Sequence, residues 1–196
     1  MKVLIEAVYV GATDFPFNNE DTAENMALKW LTTDDDLHLC PDSNNLFQRF
    51  FMAALYFHLG GETWSDCTVQ ECSGNLFLSE VPECTWNGIV CNADGAIKEI
   101  HLNGRNVTGS LPDEIGLLDS LEVIAMDDNQ LSGKIPESLG SLSKLTVVDL
   151  DNNSLTGPIP ESLFNASLIK VIDLDTNQLI RRVDLFVFPS IGQERV

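Results

Sequence analysis

Apolar residues between positions 97 and 183 recur with a period of 24 residues. Ile97, Leu121, Leu145 and Ile169 share one slot of this repeat, and apolar residues return three and five positions later in each copy. The spacing apolar-x-x-apolar-x-apolar ends in strand-like alternation, so apolar side chains face inward and the intervening ones face the opposite side. We therefore expect one short strand from each copy.

The second half of each repeat carries residues with particular backbone requirements. The aligned columns after the strand are Asn129, Asn153 and Asn177, then Gly109, Gly133 and Gly157, then Pro112, Pro136 and Pro160. An asparagine amide can bond backbone groups that lose their ladder partners, and glycine adopts backbone shapes that other residues resist. Proline fixes an extended segment before a short helix-like turn. One such unit cannot bury its own apolar face, so the stacked copies form the core.

Two copies follow a known repeat pattern almost throughout. Residues 121–144 (LEVIAMDDNQLSGKIPESLGSLSK) and 145–168 (LTVVDLDNNSLTGPIPESLFNASL) resemble the plant-specific class of leucine-rich repeats, LxxLxxLxLxxNxLxGxIPxxLGxLxx. The first copy departs at Arg105, where the pattern has Asn, and the fourth loses Gly and Pro after Leu179. The resemblance implies an α/β fold, a short right-handed leucine-rich-repeat solenoid of about four repeats with a concave parallel sheet.

The chain before the repeats predicts two helices. One helical face collects Leu46, Phe47, Phe50, Phe51, Ala54, Leu55 and His58, with Asp42 or Ser43 as the N-cap and Gly60-Gly61 at the end. A shorter amphipathic helix over about 22–31 presents Met26, Ala27 and Trp30. The acidic run Asp34-Asp35-Asp36 that follows is interpreted as a solvated face.

These segments predict four regions in the chain. A leader or degraded signal occupies residues 1–20, where Glu6 interrupts a short apolar run, and a helical cap occupies 21–95. The repeats occupy 96–180, and a decayed last repeat or tail occupies 181–196.

All five cysteines, Cys40, Cys67, Cys72, Cys84 and Cys91, precede residue 92. This clustering indicates a disulfide-stapled cap, whereas zinc is disfavoured because Cys-x4-Cys and Cys-x6-Cys do not match usual ligand spacings. Residues 84–91, CTWNGIVC, resemble the end of the amino-terminal cap in the same repeat class. That resemblance implies a Cys84–Cys91 disulfide, with Trp86 over the apolar edge of the first strand.

The other cysteines have more than one pairing. Residues 48–67 also resemble capped repeat proteins of diatom-like algae, which favours Cys67 with Cys72. By analogy with plant polygalacturonase-inhibiting proteins, Cys40 instead joins Cys67 or Cys72. The sequence leaves this connectivity open.

Acidic residues outnumber basic ones by 30 to 11, which gives a formal charge of −19. This charge disfavours nucleic acid and anionic lipid as partners and favours basic proteins, cationic peptides or divalent cations. Solubility alone is the other interpretation. No apolar stretch approaches the roughly 18–20 residues of a membrane span.

The motifs of common enzyme classes do not occur in this chain. It has no kinase motif set, G-x-S-x-G elbow, H-E-x-x-H pair or phosphate-binding glycine loop. His38, His58 and His101 are scattered, and only His101 lies on the predicted concave face, beside Glu99. We therefore predict neither a catalytic site nor a cofactor. A metal hydrolase built on the concave aspartates is the weakest alternative.

The outward strand positions form the predicted ligand-binding surface. They are Glu99, His101, Asn103, Val123, Asp127, Asp128, Val147, Asp149, Asp151, Val171, Asp173 and Asp175. Within them the column Asp127, Asp151 and Asp175 suits a basic ligand or loosely held calcium, with a hydrated acidic surface as the alternative. Resemblance to ectodomains of receptor-like kinases and to secreted inhibitors implies a non-catalytic module that binds a protein, peptide or glycan outside the cell or at its surface. The structural alternative is a cell-surface spacer or a fragment of a longer receptor-like repeat protein.

Two further features bear on the surface. Asn106, Asn152 and Asn165 each open an N-glycosylation triplet. Residues 180–188 lose the repeat pattern while staying apolar, which predicts self-association through this edge.

Overall fold

The computed structural model describes residues 20–37, 45–65 and 76–180. The predicted tail and nearly all of the predicted leader lie outside these residues. Outside them as well are Cys40, Cys67 and Cys72, and His38. In the part of the chain described, no helix is both long and apolar enough to cross a bilayer.

Two helices form the first layer of the cap, α1 (Ala23–Thr33) and α2 (Leu46–His58). The Thr22 hydroxyl caps α1 by accepting a hydrogen bond from the Asn25 amide, 3.3 Å. Helix α2 has Asn45 as its N-cap, so the prediction of Asp42 or Ser43 is wrong, and the Asn45 side chain makes no capping bond. The two helices pack together, and His58 Nε2 lies 2.7 Å from Glu24 Oε1 across their contact.

Helix α2 is buried more completely than its predicted face suggests. Five of the seven predicted positions are buried, namely Leu46, Phe50, Phe51, Ala54 and Leu55. His58 is half-buried. Met52 and Ala53, outside the predicted face, are fully buried. Phe47, on the same predicted face, stays 41% exposed.

A buried ion cluster joins both helices to the chain that leads into the repeats. The Arg49 guanidinium donates from Nε to Asp35 Oδ2 at 2.6 Å and from Nη2 to Asp35 Oδ1 at 2.7 Å. Its Nη1 donates to Glu83 Oε2 at 3.3 Å. All three residues are buried, so Asp35 is not the solvated residue the sequence predicted, although Asp34 and Asp36 are exposed.

The same guanidinium is held by backbone and aromatic groups. It donates to the carbonyls of Val81 at 3.0 Å and Ser79 at 3.1 Å. Its carbon lies 5.0 Å from the ring centre of Trp30 and 5.2 Å from that of Trp86. Cation–π attraction and five donated hydrogen bonds thus offset the desolvation of a fully buried charge.

The repeats build two sheets. The concave sheet has the order β1 (Ile89–Cys91), β2 (Ile97–His101), β3 (Val123–Ala125), β5 (Val147–Asp149) and β7 (Val171–Asp173). Strand β1 is antiparallel to β2, and the remaining neighbours are parallel. A second sheet joins β4 (Ser132–Gly133), β6 (Ser154–Pro158) and β8 (Gln178–Ile180).

Short helical turns close the repeats on the other side, as the pattern predicted. They are the 3-10 turns Asp113–Leu117 and Glu137–Ser141 and the helix α3 (Glu161–Asn165), which stack in that order. Buried Ile100, Ile124 and Val148 stand in register across the concave sheet and form the centre of the core.

An asparagine ladder holds the turns after the strands. Asn129 Nδ2 donates to the carbonyls of Leu102, Met126 and Asp127 at 2.8, 3.0 and 2.9 Å. Its Oδ1 accepts from the Arg105 and Val107 amides, both at 2.9 Å. Asn153 and Asn177 repeat this arrangement one and two copies later.

The cap disulfide implied by the family resemblance is present. Cys84 and Cys91 are bonded, with their Cα atoms 5.4 Å apart. Trp86 is buried, and Ile89 on the same loop belongs to the strand that pairs with the first repeat. The disulfide therefore fixes the antiparallel strand that covers the first edge of the parallel sheet.

Gly133→Ala and Gly157→Ala are expected to lower the free energy of unfolding by about 1–2 kcal/mol each. Both glycines have left-handed backbones, with φ of 75° and 80°. Ser132→Ala and Thr156→Ala, at the exposed neighbours, should stay within about 0.5 kcal/mol. Urea unfolding of the four variants measures the difference, and equal midpoints would contradict this account of the turn.

The same slot in the first repeat is expected to be less tolerant. A Cβ at Gly109 would overlap the His58 carbonyl oxygen, whereas a Cβ at Gly133 would lie 3.0 Å from the Ser110 Cβ. A side-chain contact can relax and a packed backbone carbonyl cannot. Gly109→Ala should therefore destabilise the protein more than Gly133→Ala does.

Candidate binding surface on the concave sheet

The outward residues of the concave sheet form rows that cross the strands. Backbone register aligns Glu99, Val123, Val147 and Val171 in one row and His101, Ala125, Asp149 and Asp173 in the next. The repeat places Asn103, Asp127, Asp151 and Asp175 in a third row, after the strands end. Parallel strands are about 4.8 Å apart, so neighbours within a row are in contact range.

The first row is apolar in its last three members. Val123 and Val147 are half-buried and Val171 is 47% exposed. Ala125, in the next row, is buried rather than exposed. The valines therefore form a continuous apolar stripe on the concave surface, and we call it the valine row.

At the amino-terminal end of this surface, Glu99 is paired with two neighbouring side chains. Lys98 Nζ lies 3.0 Å from Glu99 Oε1, and His101 Nε2 lies 2.9 Å from Glu99 Oε2. The hydrogen bond from His101, followed by that from Lys98, holds the pKa of Glu99 below its usual range. The acidic character of the surface is therefore concentrated further along the sheet.

Three carboxylates come together beyond the valine row. One oxygen each from Asp127, Asp149 and Asp151 lies within 4.8 Å of the other two, and we call this group the aspartate cluster. Asp127 Oδ1 and Asp149 Oδ1 are shielded from solvent and have no hydrogen-bond partner among the described residues. Asp175 is exposed and stands outside the cluster.

Two members of the predicted surface lie beside the cluster. The Asp173 carboxylate accepts a hydrogen bond from the Asp175 amide, 3.2 Å. Asp128 is exposed and accepts a hydrogen bond from the Asn152 side chain. Asn103 is exposed at the start of the third row. The sequence assigned Asp127 and Asp151 to one column, and the structure adds Asp149 from the neighbouring row.

Crowding changes the acidity of all three carboxylates. Burial raises the pKa of Asp127, and the charges of Asp151 and Asp128 raise it further. Burial and the charge of Asp127 raise the pKa of Asp149. Partial desolvation and the charge of Asp149 raise the pKa of Asp151. A cation placed among these groups would relieve the repulsion.

Asp151→Asn is expected to lower the pKa of Asp127 and to flatten the pH dependence of stability above pH about 4. Because the pKa of these carboxyl groups is raised in the folded state, their contribution to the free energy of unfolding is fully present below the ordinary Asp pKa of about 3.9. That contribution is lost as pH rises through the raised value. Carboxyl NMR titration and urea unfolding across pH measure both effects. Asp113→Asn, at an exposed site on the convex side, is the matched control. An unchanged Asp127 pKa in Asp151→Asn would contradict the coupling.

The three glycosylation triplets have different surroundings. The Asn106 amide donates to the Thr63 carbonyl at 3.0 Å and accepts from Gln130. Asn152 is bonded to Asp128. Asn165 is exposed at the end of α3, on the side opposite the concave sheet, and makes no hydrogen bond through its side chain to another described residue. A glycan at Asn165 would leave the concave surface open.

Arg105, the departure from the asparagine column, serves the cap. Its guanidinium donates to the Asn87 carbonyl at 3.2 Å and to the Asn87 side chain at 3.1 Å. Burial lowers the pKa of this guanidinium. The first repeat follows the cap and not another repeat. Arg105 therefore bonds the loop closed by the Cys84–Cys91 disulfide, where the later repeats use Asn to bond the repeat before them.

A family model matches two of the repeats. Residues 120–142 and 144–166 match the family model described as Leucine Rich Repeat. No curated protein sequence matches the chain.

Solved structures resemble part of the fold. The BIR3–SERK2 complex from Arabidopsis thaliana is 25% identical, with a TM-score of 0.49, over 64% of this chain and 68% of that chain. The ectodomain of the receptor kinase SOBIR1 from Arabidopsis thaliana is 27% identical, with a TM-score of 0.48, over 52% and 60%. The Arabidopsis receptor kinase HAESA, solved with the peptide hormone IDA and the co-receptor SERK1, is 28% identical, with a TM-score of 0.46, over 52% and 17%. The chain thus spans less than two thirds of the latter two.

The family match falls on the two repeats whose strands occupy the middle of the parallel sheet. The asparagine ladder and the glycine and proline columns extend the same architecture to the neighbouring copies. The described residues form a short leucine-rich-repeat solenoid with a helical, disulfide-stapled amino-terminal cap.

Proposed function

We propose that this chain is a non-catalytic recognition module that binds a basic protein or peptide segment on its concave sheet, outside the cell or at its surface. The observation that carries the proposal is the valine row beside the aspartate cluster on one exposed sheet face. The Cys84–Cys91 disulfide supports an oxidising location.

The valine row supplies the apolar part of the contact. Alternate residues of a strand lie about 6–7 Å apart on the same face, so Val147 and Asp149 can contact neighbouring side chains of one partner. Large side chains packed on the valines exclude water from the contact. A segment that lies across the strands would meet Val123, Val147 and Val171 in turn.

The aspartate cluster supplies the charge. A lysine or arginine side chain placed beside the three carboxylates would pair with their charge and relieve their mutual repulsion. Complementary charge of this kind speeds association and sets register more than it raises affinity. Binding should therefore weaken as ionic strength rises.

Calcium is the second candidate ligand for the aspartate cluster. Carboxylate oxygens suit this cation, and the three side chains offer one oxygen each within 4.8 Å of one another. Calorimetry with calcium and with a cationic peptide separates the two, since a calcium site would bind the ion in the absence of any peptide.

A structural role is the alternative function. Large apolar side chains are exposed around the last described repeat, with Phe164 66%, Leu168 50% and Ile180 62% exposed. Sedimentation across a concentration series tests whether this edge pairs with a second copy. Self-association without any ligand on the concave sheet would favour a spacer.

The experiment that tests the proposal is a peptide and glycan array probed with the full chain and two variants. Asp127→Asn/Asp149→Asn/Asp151→Asn removes the aspartate cluster. Asp94→Asn/Asp113→Asn/Glu137→Gln removes three exposed carboxylates elsewhere and changes the net charge equally. The proposal predicts that only the first variant loses the basic peptides. Equal losses in both variants would show that net charge alone is responsible, and glycan hits alone would overturn the peptide assignment.

A further inference from the structure

A second cleft lies away from the concave sheet, between helix α2 and the 3-10 turn Asp113–Leu117. Its volume is about 340 Å³. The buried side chains of Phe50, Phe51, Ile97 and Leu118 contribute to its lining. This is the lower end of the size range that accommodates small molecules or one or two large side chains.

Two exposed apolar residues line the same cleft. Phe47 is 41% exposed and Leu117 is 55% exposed. The repeat shows that the leucine is not required by the turn, since Ser141 and Asn165 occupy the same slot in the next two copies. Phe47 and Leu117 line the same cleft, so they form an exposed apolar patch rather than scattered single residues, and such patches are typical of contact surfaces.

One wall of the cleft is fixed in place. Gln48 donates to the Gly95 carbonyl at 2.9 Å and to Glu83 Oε1 at 2.8 Å, and it accepts from the Ile97 amide at 2.7 Å. These bonds tie α2 to the start of β2, so the cleft does not need to be organised at the moment of binding.

The charged side chains that line the cleft are both acidic, Glu114 and Asp119. Lys144 reaches the cleft only through a hydrogen bond to the Ser120 hydroxyl at 3.3 Å. An apolar cleft lined by carboxylates complements an apolar side chain that is flanked by basic ones.

We propose that this cleft is a second docking site, where a partner protein inserts one large apolar side chain while a neighbouring lysine or arginine pairs with Glu114 or Asp119. Aromatic side chains are the commonest anchors of this type. The site lies on the flank of the cap, away from the concave surface. The proposal of a second docking site therefore does not depend on the proposed function.

The test uses the peptide acetyl-Lys-Ala-Trp-Ala-Lys-amide and amide chemical-shift mapping on the full chain. Saturable shifts are expected at Phe47, Ile97 and Leu117. Leu117→Ser introduces the residue of the next repeat, so the fold should tolerate it, and it should weaken binding roughly tenfold. Leu168→Ser, at another exposed leucine, should leave binding unchanged.

A peptide with Asp in place of both Lys residues tests the charge requirement and should bind several-fold more weakly. Equal affinity for Leu117→Ser and the parent chain would overturn the proposal. Shifts confined to the concave sheet, or no saturable shift, would overturn it as well. If Asp151→Asn removes the peptide-induced shifts on the concave sheet and keeps those at the cleft, the two sites bind independently.

Discussion

Arg49→Met is expected to lower the free energy of unfolding by about 3–5 kcal/mol. The substitution leaves Asp35 and Glu83 buried without their cation and removes the donors to the Ser79 and Val81 carbonyls. Methionine fills much of the same volume, so the decrease in the free energy of unfolding measures the effect of the unpaired carboxylates rather than of a cavity. Chemical denaturation at neutral pH is the measurement.

Lys29→Met, at an exposed position of α1, is the matched control and should change stability by less than about 0.5 kcal/mol. Arg49→Met/Asp35→Leu/Glu83→Leu should recover part of the loss, because no buried charge is left unpaired. Similar small effects of Arg49→Met and Lys29→Met would show that the cluster does not hold the cap together.

Asn129→Ala is expected to cost about 3–5 kcal/mol, since it removes a side chain with five bonds to the backbone. Each buried backbone group left without a partner costs about 1–3 kcal/mol, and some of these groups keep other partners. Gln130→Ala, at the exposed neighbour, should be nearly neutral. Equal unfolding midpoints for the two variants would contradict the ladder as a main source of stability.

The period of the repeats predicts much of the fold because one physical requirement explains the residue type at each aligned position of the repeat. The apolar columns give the strand register, so Ile100, Ile124 and Val148 align as expected. The asparagine, glycine and proline columns give the turns. The family resemblance, rather than the spacing, supplies the Cys84–Cys91 pairing.

The ion cluster of the cap could not be predicted in the same way. Arg49, Asp35 and Glu83 belong to different segments and follow no period, and a local run of three acidic residues is usually solvated. One signal was available, because Arg49 lies two residues from Phe47 and one from Phe50 on a helix with few polar positions. A charge among such neighbours implies a buried partner.

The aspartate cluster was only partly predictable for a geometric reason. Columns of the repeat predict contacts along one row, whereas Asp149 lies two residues before Asp151 in the same copy and diagonally across the strands from Asp127. Diagonal neighbours across a sheet remain within reach of longer side chains, but no column of the sequence displays them.

The repeats also show where the stacking changes. A Cβ at Gly140 would overlap the backbone of Ser162, so the turns of successive copies approach each other closely at this slot. Phe164 occupies the same slot in the third turn. The side chain of Phe164 is 66% exposed.

The most direct test of the central claim is the affinity of Val147→Asp and Val171→Asp for the strongest basic peptide from the array, measured by calorimetry. Both variants make the concave sheet more acidic and remove part of the valine row. If the surface recognises a segment through apolar contact and charge together, both variants bind more weakly than the parent chain at a temperature where both remain folded. Tighter binding by the two variants would show that the sheet attracts cations without recognising a partner, and it would contradict the account.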